Sequence, residues 1–205
     1  MKINIGSGQC GGSVFANGWI CVDYGHDASK PEWHGAEYLK FDITGPWPLP
    51  ENSADCIFAS HILEHVEYSK QRKIYQECFR VLKPGAPMRV ICPDPRIFVR
   101  NWQAKNWNFV MNCYGPDNWK RNGYEGNPNK AFTDMFFEDN YDHVIVPSID
   151  MVAIMAIRAG FSKVTEMPFG CTEFPQFFGD YEKSDSYEKS IDNRPVMSYY
   201  LEAVK

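Results

Sequence analysis

The sequence predicts an α/β fold built on a doubly wound, mostly parallel sheet. Three observations carry that expectation. Short apolar runs alternate with turn residues through the first half of the chain, as strands at the centre of a parallel sheet do. An amphipathic helical pattern separates the last two of these runs, which is the strand, crossover, strand order of an α/β sheet. A glycine-rich turn follows the first run directly, at the sheet edge where ligands of such folds bind.

Five runs are the strand candidates: Lys2 to Ile5, Trp19 to Asp23, Glu37 to Phe41, Asp55 to Ala59 and Met88 to Cys92. Ser69 to Leu82 reads as a helix because Ile74, Cys78, Val81 and Leu82 recur at helical spacing, and Lys83-Pro84-Gly85 stops it. Residues 96–146 show little clean periodicity and hold eleven aromatic side chains, so they are expected to form an insertion with short helices of its own, a lid over an acceptor. Ile149 to Ala159 is strongly helical, with Ser148 or Asp150 as cap and Gly160 as stop. Phe161 to Phe169 and Met197 to Val204 complete the strands, joined by a long polar and aromatic excursion. At 205 residues the chain reads as one domain, 1–205, that includes the 96–146 insertion.

Composition narrows the function classes. Hydrophobic residues make up 44% and charged residues 23%, which suits a chain with a real core. A net charge of −5 offers no basic field for a polyphosphate backbone, and Lys120-Arg121 is too short a basic patch, so nucleic acid is not the expected partner. No stretch of about 18 apolar residues occurs and glycines interrupt the amino terminus early, so neither a membrane span nor a signal segment is expected. Seven cysteines without a C-x-x-C pair fit a reducing cytoplasm, and Cys21, Cys56 and Cys92 lie inside apolar runs as small hydrophobes.

Gly6-Ser7-Gly8-Gln9-Cys10-Gly11 matches G-x-G-x-x-G, and Asp23 closes the second strand. Glycines let a backbone approach a ligand closely, while a carboxylate at the next strand end accepts hydrogen bonds from ribose hydroxyls. Only Gly12 to Gly18 separate that turn from Trp19, so the first crossover helix has at most about two turns, which counts against a dinucleotide whose pyrophosphate needs a helix end. Further on come Phe41-Asp42-Ile43, then Ser60-His61-Ile62-Leu63-Glu64-His65-Val66, then Arg80-Val81-Leu82-Lys83-Pro84-Gly85 and Pro93-Asp94.

This succession resembles the class I S-adenosylmethionine-dependent methyltransferases, above all over Lys2 to Pro95. The resemblance implies a Rossmann-like sheet of the seven-stranded methyltransferase type, with S-adenosyl-L-methionine as cofactor and a small-molecule acceptor, a sugar hydroxyl or carboxylate being the guess. The cofactor-binding set it implies is Asn4, Gly6, Ser7, Gly8, Asp23, Tyr24, Asp42, Ile43, Ser60 and His61. Within it, Gly6, Ser7 and Gly8 pass under the methionine moiety, Asp23 takes the ribose, Asp42 with Ile43 meets the adenine, and Ser60 and His61 border the methyl group.

An oxygen acceptor needs deprotonation, which makes His61 the expected general base and His143 the reserve. Two readings from other classes stand beside this one. One is a non-catalytic nucleoside-binding module for a protein partner. The other is a zinc hydrolase, because His61-Ile62-Leu63-Glu64-His65 spells H-x-x-E-H, which on a helix sets both histidines on one face; no third ligand is apparent, and no metal is expected. Asp94 is expected to cap the entry to the insertion. Of the insertion's rings, most are expected in a small core, with Trp102, Trp107, Trp119 or Tyr124 as candidates to line an acceptor pocket.

Overall fold

The computed structural model describes residues 1–6, 18–24, 37–137, 143–179 and 197–205. Seven strands form one sheet in the order β3-β2-β1-β4-β5-β7-β6. They are β1 (Lys2–Ile5), β2 (Trp19–Asp23), β3 (Glu37–Lys40), β4 (Cys56–Ser60), β5 (Pro87–Pro93), β6 (Lys163–Met167) and β7 (Ser198–Val204). The first five pair in parallel, while β7 runs antiparallel to both β5 and β6. The order reverses between β1 and β4, so the crevice outside their carboxyl ends is where an open α/β sheet places its ligand.

Alternation along the strands builds a core on each face. Ile3, Ile5, Ile20, Val22, Ile57 and Ala59 point to one side, where they meet Ile74, Cys78 and Val81 of α1 (Tyr68–Val81) and Val152, Met155 and Ala156 of α6 (Ile149–Ala159). Trp19, Cys21, Cys56 and Phe58 point to the other, against Phe178 at the end of α7 (Pro175–Phe178). Ser148 caps α6 by accepting from the Met151 amide, and Gly160 ends it at φ +116°. A Cβ at Gly160 would stand 2.8 Å from the Phe79 ring, so only glycine lets the end of α6 approach α1 this closely.

The insertion is a helical subdomain. Asp94 caps α2 (Pro95–Gln103) through the Arg96 amide at 2.8 Å, and α3 (Trp107–Tyr114), α4 (Pro116–Arg121) and α5 (Pro128–Phe137) follow. Phe98, Val110, Cys113, Trp119, Tyr124 and Ala131 make its core, with Met197 packed among them just ahead of β7. Trp119 and Tyr124 are therefore interior residues and do not line an acceptor pocket. Inside the sheet, Arg89 of β5 and Glu202 of β7 form a fully buried ion pair at 2.6 Å. Glu202 also accepts from the Thr172 hydroxyl and the Glu173 amide, so both of its carboxylate oxygens are engaged.

Several boundaries differ from the sequence reading. β3 ends at Lys40, one residue early, because Asp42 turns the chain by accepting from the Thr44 amide and hydroxyl, both at 2.8 Å. β4 starts at Cys56, since the Asp55 carboxylate is drawn outward to the amino terminus and Lys83. The strand expected over Phe161 to Phe169 shortens to β6, whose partner strand ends its pairing at Met167. Leu63–His65 is a single 3₁₀ turn and His61 lies outside it in the left-handed region at φ +50°, so His61 and His65 do not share a helix face. The inverted-peptidase arrangement that the letters of 61–65 would permit is not formed, for that reason.

Candidate functional site

The site lies at the carboxyl ends of β1, β2 and β4. Gly6 leaves β1 at φ +64°, and its amide donates to the Val22 carbonyl at 2.8 Å. A Cβ at Gly6 would stand 2.4 Å from Ile62 Cγ1 and 2.7 Å from Ile62 Cβ, so the turn after β1 presses directly on the turn after β4. Positive φ and this close approach each demand glycine. The two neighbouring strand ends are thereby brought into direct contact at the carboxyl edge of the sheet, and a glycine there permits close approach of a ligand to backbone. Ser7 and Gly8 lie outside the described residues.

Asp23 ends β2 half-buried, with its backbone held by the Tyr38 hydroxyl, which donates to the Asp23 carbonyl at 2.8 Å. Tyr24 beside it is exposed. Asn4 is buried and pairs in register with Cys21 and Phe58, one residue back from the sheet edge. Asp42 is exposed, and the Thr44 amide and hydroxyl hold its carboxyl below the ordinary range. The Ile43 side chain sits in the core and its carbonyl accepts from Trp47 Nε1 at 2.9 Å, so Ile43 meets no ligand with its side chain.

Ser60 closes β4, and the His61 amide donates to the Ile91 carbonyl at 2.9 Å, which sets the left-handed turn. The His61 ring is held from both sides. Nδ1 lies 3.2 Å from Glu64 Oε1, and Nε2 lies 3.2 Å from the Ser198 hydroxyl at the start of β7. Glu64 is 1% exposed. Burial opposes its ionisation most, yet the adjacent His61 imidazole, through contact and charge, keeps its carboxyl below the ordinary value. An ionised Glu64 selects the tautomer with hydrogen on Nδ1 and leaves Nε2 as the basic nitrogen.

His143, near the end of the insertion, reaches the same turn. The Val144 and Ile145 amides both donate to the Glu64 carbonyl, at 2.9 and 3.2 Å, and the His143 and His65 rings meet edge-on with centroids 4.8 Å apart. Three of the residues singled out in the sequence, His61, Glu64 and His65, are thus joined by His143. Ser198 carried no sequence signal, and neither did the contact of Ile62 with Gly6. Asp94 is committed to its cap and to Arg96, whose guanidinium also reaches Glu166 at 2.5 Å, so it serves the entry to α2. Trp102, partly exposed on α2, stacks on Phe132 and donates to Asn129 at 2.8 Å.

Cys21, Cys56, Cys78, Cys92 and Cys113 are buried free thiols. Burial pushes the Cys56 thiol up to about 12, which leaves it protonated and inert. Among the described residues no helix is long and apolar enough to cross a membrane.

Residues 19–90 match the family model described as a methyltransferase domain. No curated protein matches the chain. Among solved structures, a SAM-dependent methyltransferase from Archaeoglobus fulgidus superposes with a TM-score of 0.56 at 15% identity, covering 100% of this chain and 85% of the other. A SAM-dependent methyltransferase from Thermotoga maritima gives 0.55 at 16% identity, over 100% and 81%. An O-methyltransferase family protein from Burkholderia thailandensis gives 0.57 at 11% identity, over 100% of this chain and 50% of that one. At these identities the likeness concerns the fold.

Proposed function

We propose that this chain, whose residues 19–90 match a methyltransferase domain, is a class I S-adenosylmethionine-dependent methyltransferase that methylates an oxygen nucleophile on a small polar acceptor, with His61 as general base. When bound, S-adenosylmethionine supplies an electrophilic methyl carbon, and the carbon–sulfur bonding pair stays with sulfur as the acceptor oxygen bonds to carbon. The chain's own residues bind, align and take up a proton. Gly6 lets backbone line the crevice beneath the methionine moiety, and the Asp23 carboxylate accepts from the ribose hydroxyls. Asp42 keeps one carboxylate oxygen on Thr44, so its other oxygen is the one turned to the adenine amine.

The observation that supports His61 most is its double support at the end of β4. The buried Glu64 carboxylate holds Nδ1, so Nε2 receives the acceptor's proton and the developing imidazolium is compensated by the same carboxylate. Ser198 keeps Nε2 directed along the carboxyl edge of the sheet. Alignment of acceptor oxygen, methyl carbon and sulfur supplies most of the acceleration. The insertion that carries α2 to α5 closes on the acceptor as a lid, and ligand should slow its proteolysis. Excess negative charge argues for a small, soluble acceptor over nucleic acid, and seven cysteines without a C-x-x-C pair for action in the cytoplasm.

The test is incubation of the chain with methyl-labelled S-adenosylmethionine and a pool of small polar metabolites, followed by mass spectrometry. One labelled oxygen-methyl product is expected. His61→Ala should reduce its formation about 10²- to 10⁴-fold while S-adenosylhomocysteine affinity stays within about twofold. Saturable cofactor binding without label transfer would identify a binding module instead, and full turnover by the variant would remove His61 from the mechanism.

A further inference from the structure

The turn after β4 carries a second arrangement, which shares Glu64 with the proposed His61 pair and adds two histidines that the proposed methyl transfer does not use. Glu64, His65 and His143 each offer one donor atom, and these atoms all lie within 4.8 Å of one another. The carboxylate is the unusual member. Glu64 is 1% exposed, and among the described residues the His61 imidazole stands 3.2 Å from Oε1, while Oε2 is without a hydrogen-bond partner. A buried carboxylate with unfilled acceptor capacity is unfavourable unless a cation or donors face it.

The backbone around this carboxylate is fixed independently of the three side chains. Gln71 is buried and donates to the Leu63 and Val66 carbonyls at 2.7 and 3.0 Å, which locks the turn bearing Glu64 and His65. On the other side the paired amides of Val144 and Ile145 clamp the Glu64 carbonyl and so bring His143 to the turn. His65 and His143 are half-buried, which leaves a route for an ion from solvent.

We propose that Glu64, His65 and His143 form a site for a divalent transition-metal cation. Two imidazole nitrogens and one carboxylate oxygen suit Zn²⁺, Mn²⁺, Fe²⁺ or Co²⁺ better than Ca²⁺ or Mg²⁺, which favour all-oxygen shells. Bonds of about 2.0–2.2 Å set neighbouring ligand atoms roughly 3–3.5 Å apart, so modest side-chain rotations close the observed cluster onto an ion. Three protein ligands leave a coordination position open, as in catalytic metal sites. Glu64 Oε1 lies 3.2 Å from His61 Nδ1, so an ion held by this cluster would stand close to the proposed base and would polarise the acceptor's oxygen. That use rests on the methyl-transfer reading; the site itself does not.

The test is titration of the chelator-stripped full chain with Co²⁺, read by its visible d–d absorption, and with Zn²⁺, read by calorimetry. One ion per chain is expected, with nitrogen and oxygen ligation in the Co²⁺ spectrum. Glu64→Gln and His143→Ala should each weaken binding at least tenfold, and His143→Gln, which keeps much of the side chain's bulk, provides the same comparison if the alanine variant unfolds. S-adenosylhomocysteine binding, measured in parallel, separates the two claims. Ion binding without S-adenosylhomocysteine binding keeps the site and removes the methyl-transfer reading. Substoichiometric ion uptake, or variants that bind as the wild type does, overturns the site whatever the nucleoside does.

Discussion

Replacing Gly6 by alanine tests whether the contact between the turns after β1 and β4 builds the cofactor crevice. Gly6 stands at φ +64°, where an L-residue is disfavoured by about 1–2 kcal/mol. The new Cβ would meet Ile62 Cγ1 at 2.4 Å, Cδ1 at 2.6 Å and Cβ at 2.7 Å. The last of these is tied to the backbone, so rotating the Ile62 side chain does not relieve the overlap. Forcing a methyl group into such a contact adds about 1–3 kcal/mol, for a total near 2–5 kcal/mol. For a domain of this size each kcal/mol lowers Tm by about 2–4 °C, so a drop of roughly 4–20 °C is expected in a calorimetric melt. Ile62→Ala removes Cγ1 and Cδ1, the two nearer atoms, while leaving the Cβ contact at 2.7 Å and the backbone strain. The double variant should therefore be more stable than the sum of the two single losses by at least about 1 kcal/mol. S-adenosylhomocysteine affinity should fall in Gly6→Ala and recover in part in the double variant. Additivity within about 0.5 kcal/mol would show that the two turns do not press on each other, and the reasoning would fail.

Three further outcomes are expected. Asp23→Ala removes a charged acceptor of two ribose hydrogen bonds, each worth about 1.5–3 kcal/mol, so calorimetry should show S-adenosylhomocysteine binding at least about tenfold weaker; unchanged affinity would end the ribose assignment. Glu202→Ala leaves Arg89 buried without its carboxylate and should destabilise the fold by about 3–5 kcal/mol in urea unfolding, while replacing both by apolar residues should recover most of that loss. Burial opposes ionisation of Glu77, but Arg80 at 2.7 Å, the Trp47 amide at 2.9 Å and Lys73 hold its carboxyl below the ordinary value. The folded state therefore binds this proton less readily than the unfolded chain: its stabilisation is present above about pH 4.3 and disappears as pH falls through the lower folded value. Glu77→Gln should be less stable at pH 7 and should flatten the acid limb of a Tm-against-pH curve, and an unaltered limb would contradict the assignment.

The local parts of this protein are legible in its amino-acid order because short-range physics makes them. Strand alternation, the Ser148 cap, the Gly160 stop and the Asp94 cap each depend on residues a few positions apart. Gly6 and Asp23 at successive strand ends are legible for the same reason, since a glycine turn and a terminal carboxylate follow from parallel-strand geometry. The sequence also assigned the sheet class, because five apolar runs long enough to be buried on both faces have few other ways to pack. Tertiary structure alone decided what surrounds the turn after β4. His143 lies 78 residues beyond His65, and Ser198 lies 137 residues beyond His61, separations at which no periodicity couples two positions. Backbone amides of 144 and 145 and the antiparallel pairing of β7 bring those side chains in, and neither leaves a mark in local composition. The same cause inverted the reading of Trp119 and Tyr124. An aromatic ring in a polar segment satisfies a pocket or a core equally well by composition, and only the packing of α2 to α5 around Phe98 placed these two inside. The letters of the 61–65 segment would also permit a helix face, but the amide of His61 is taken by Ile91 on the neighbouring strand, and that long-range hydrogen bond turns the chain into the left-handed region instead.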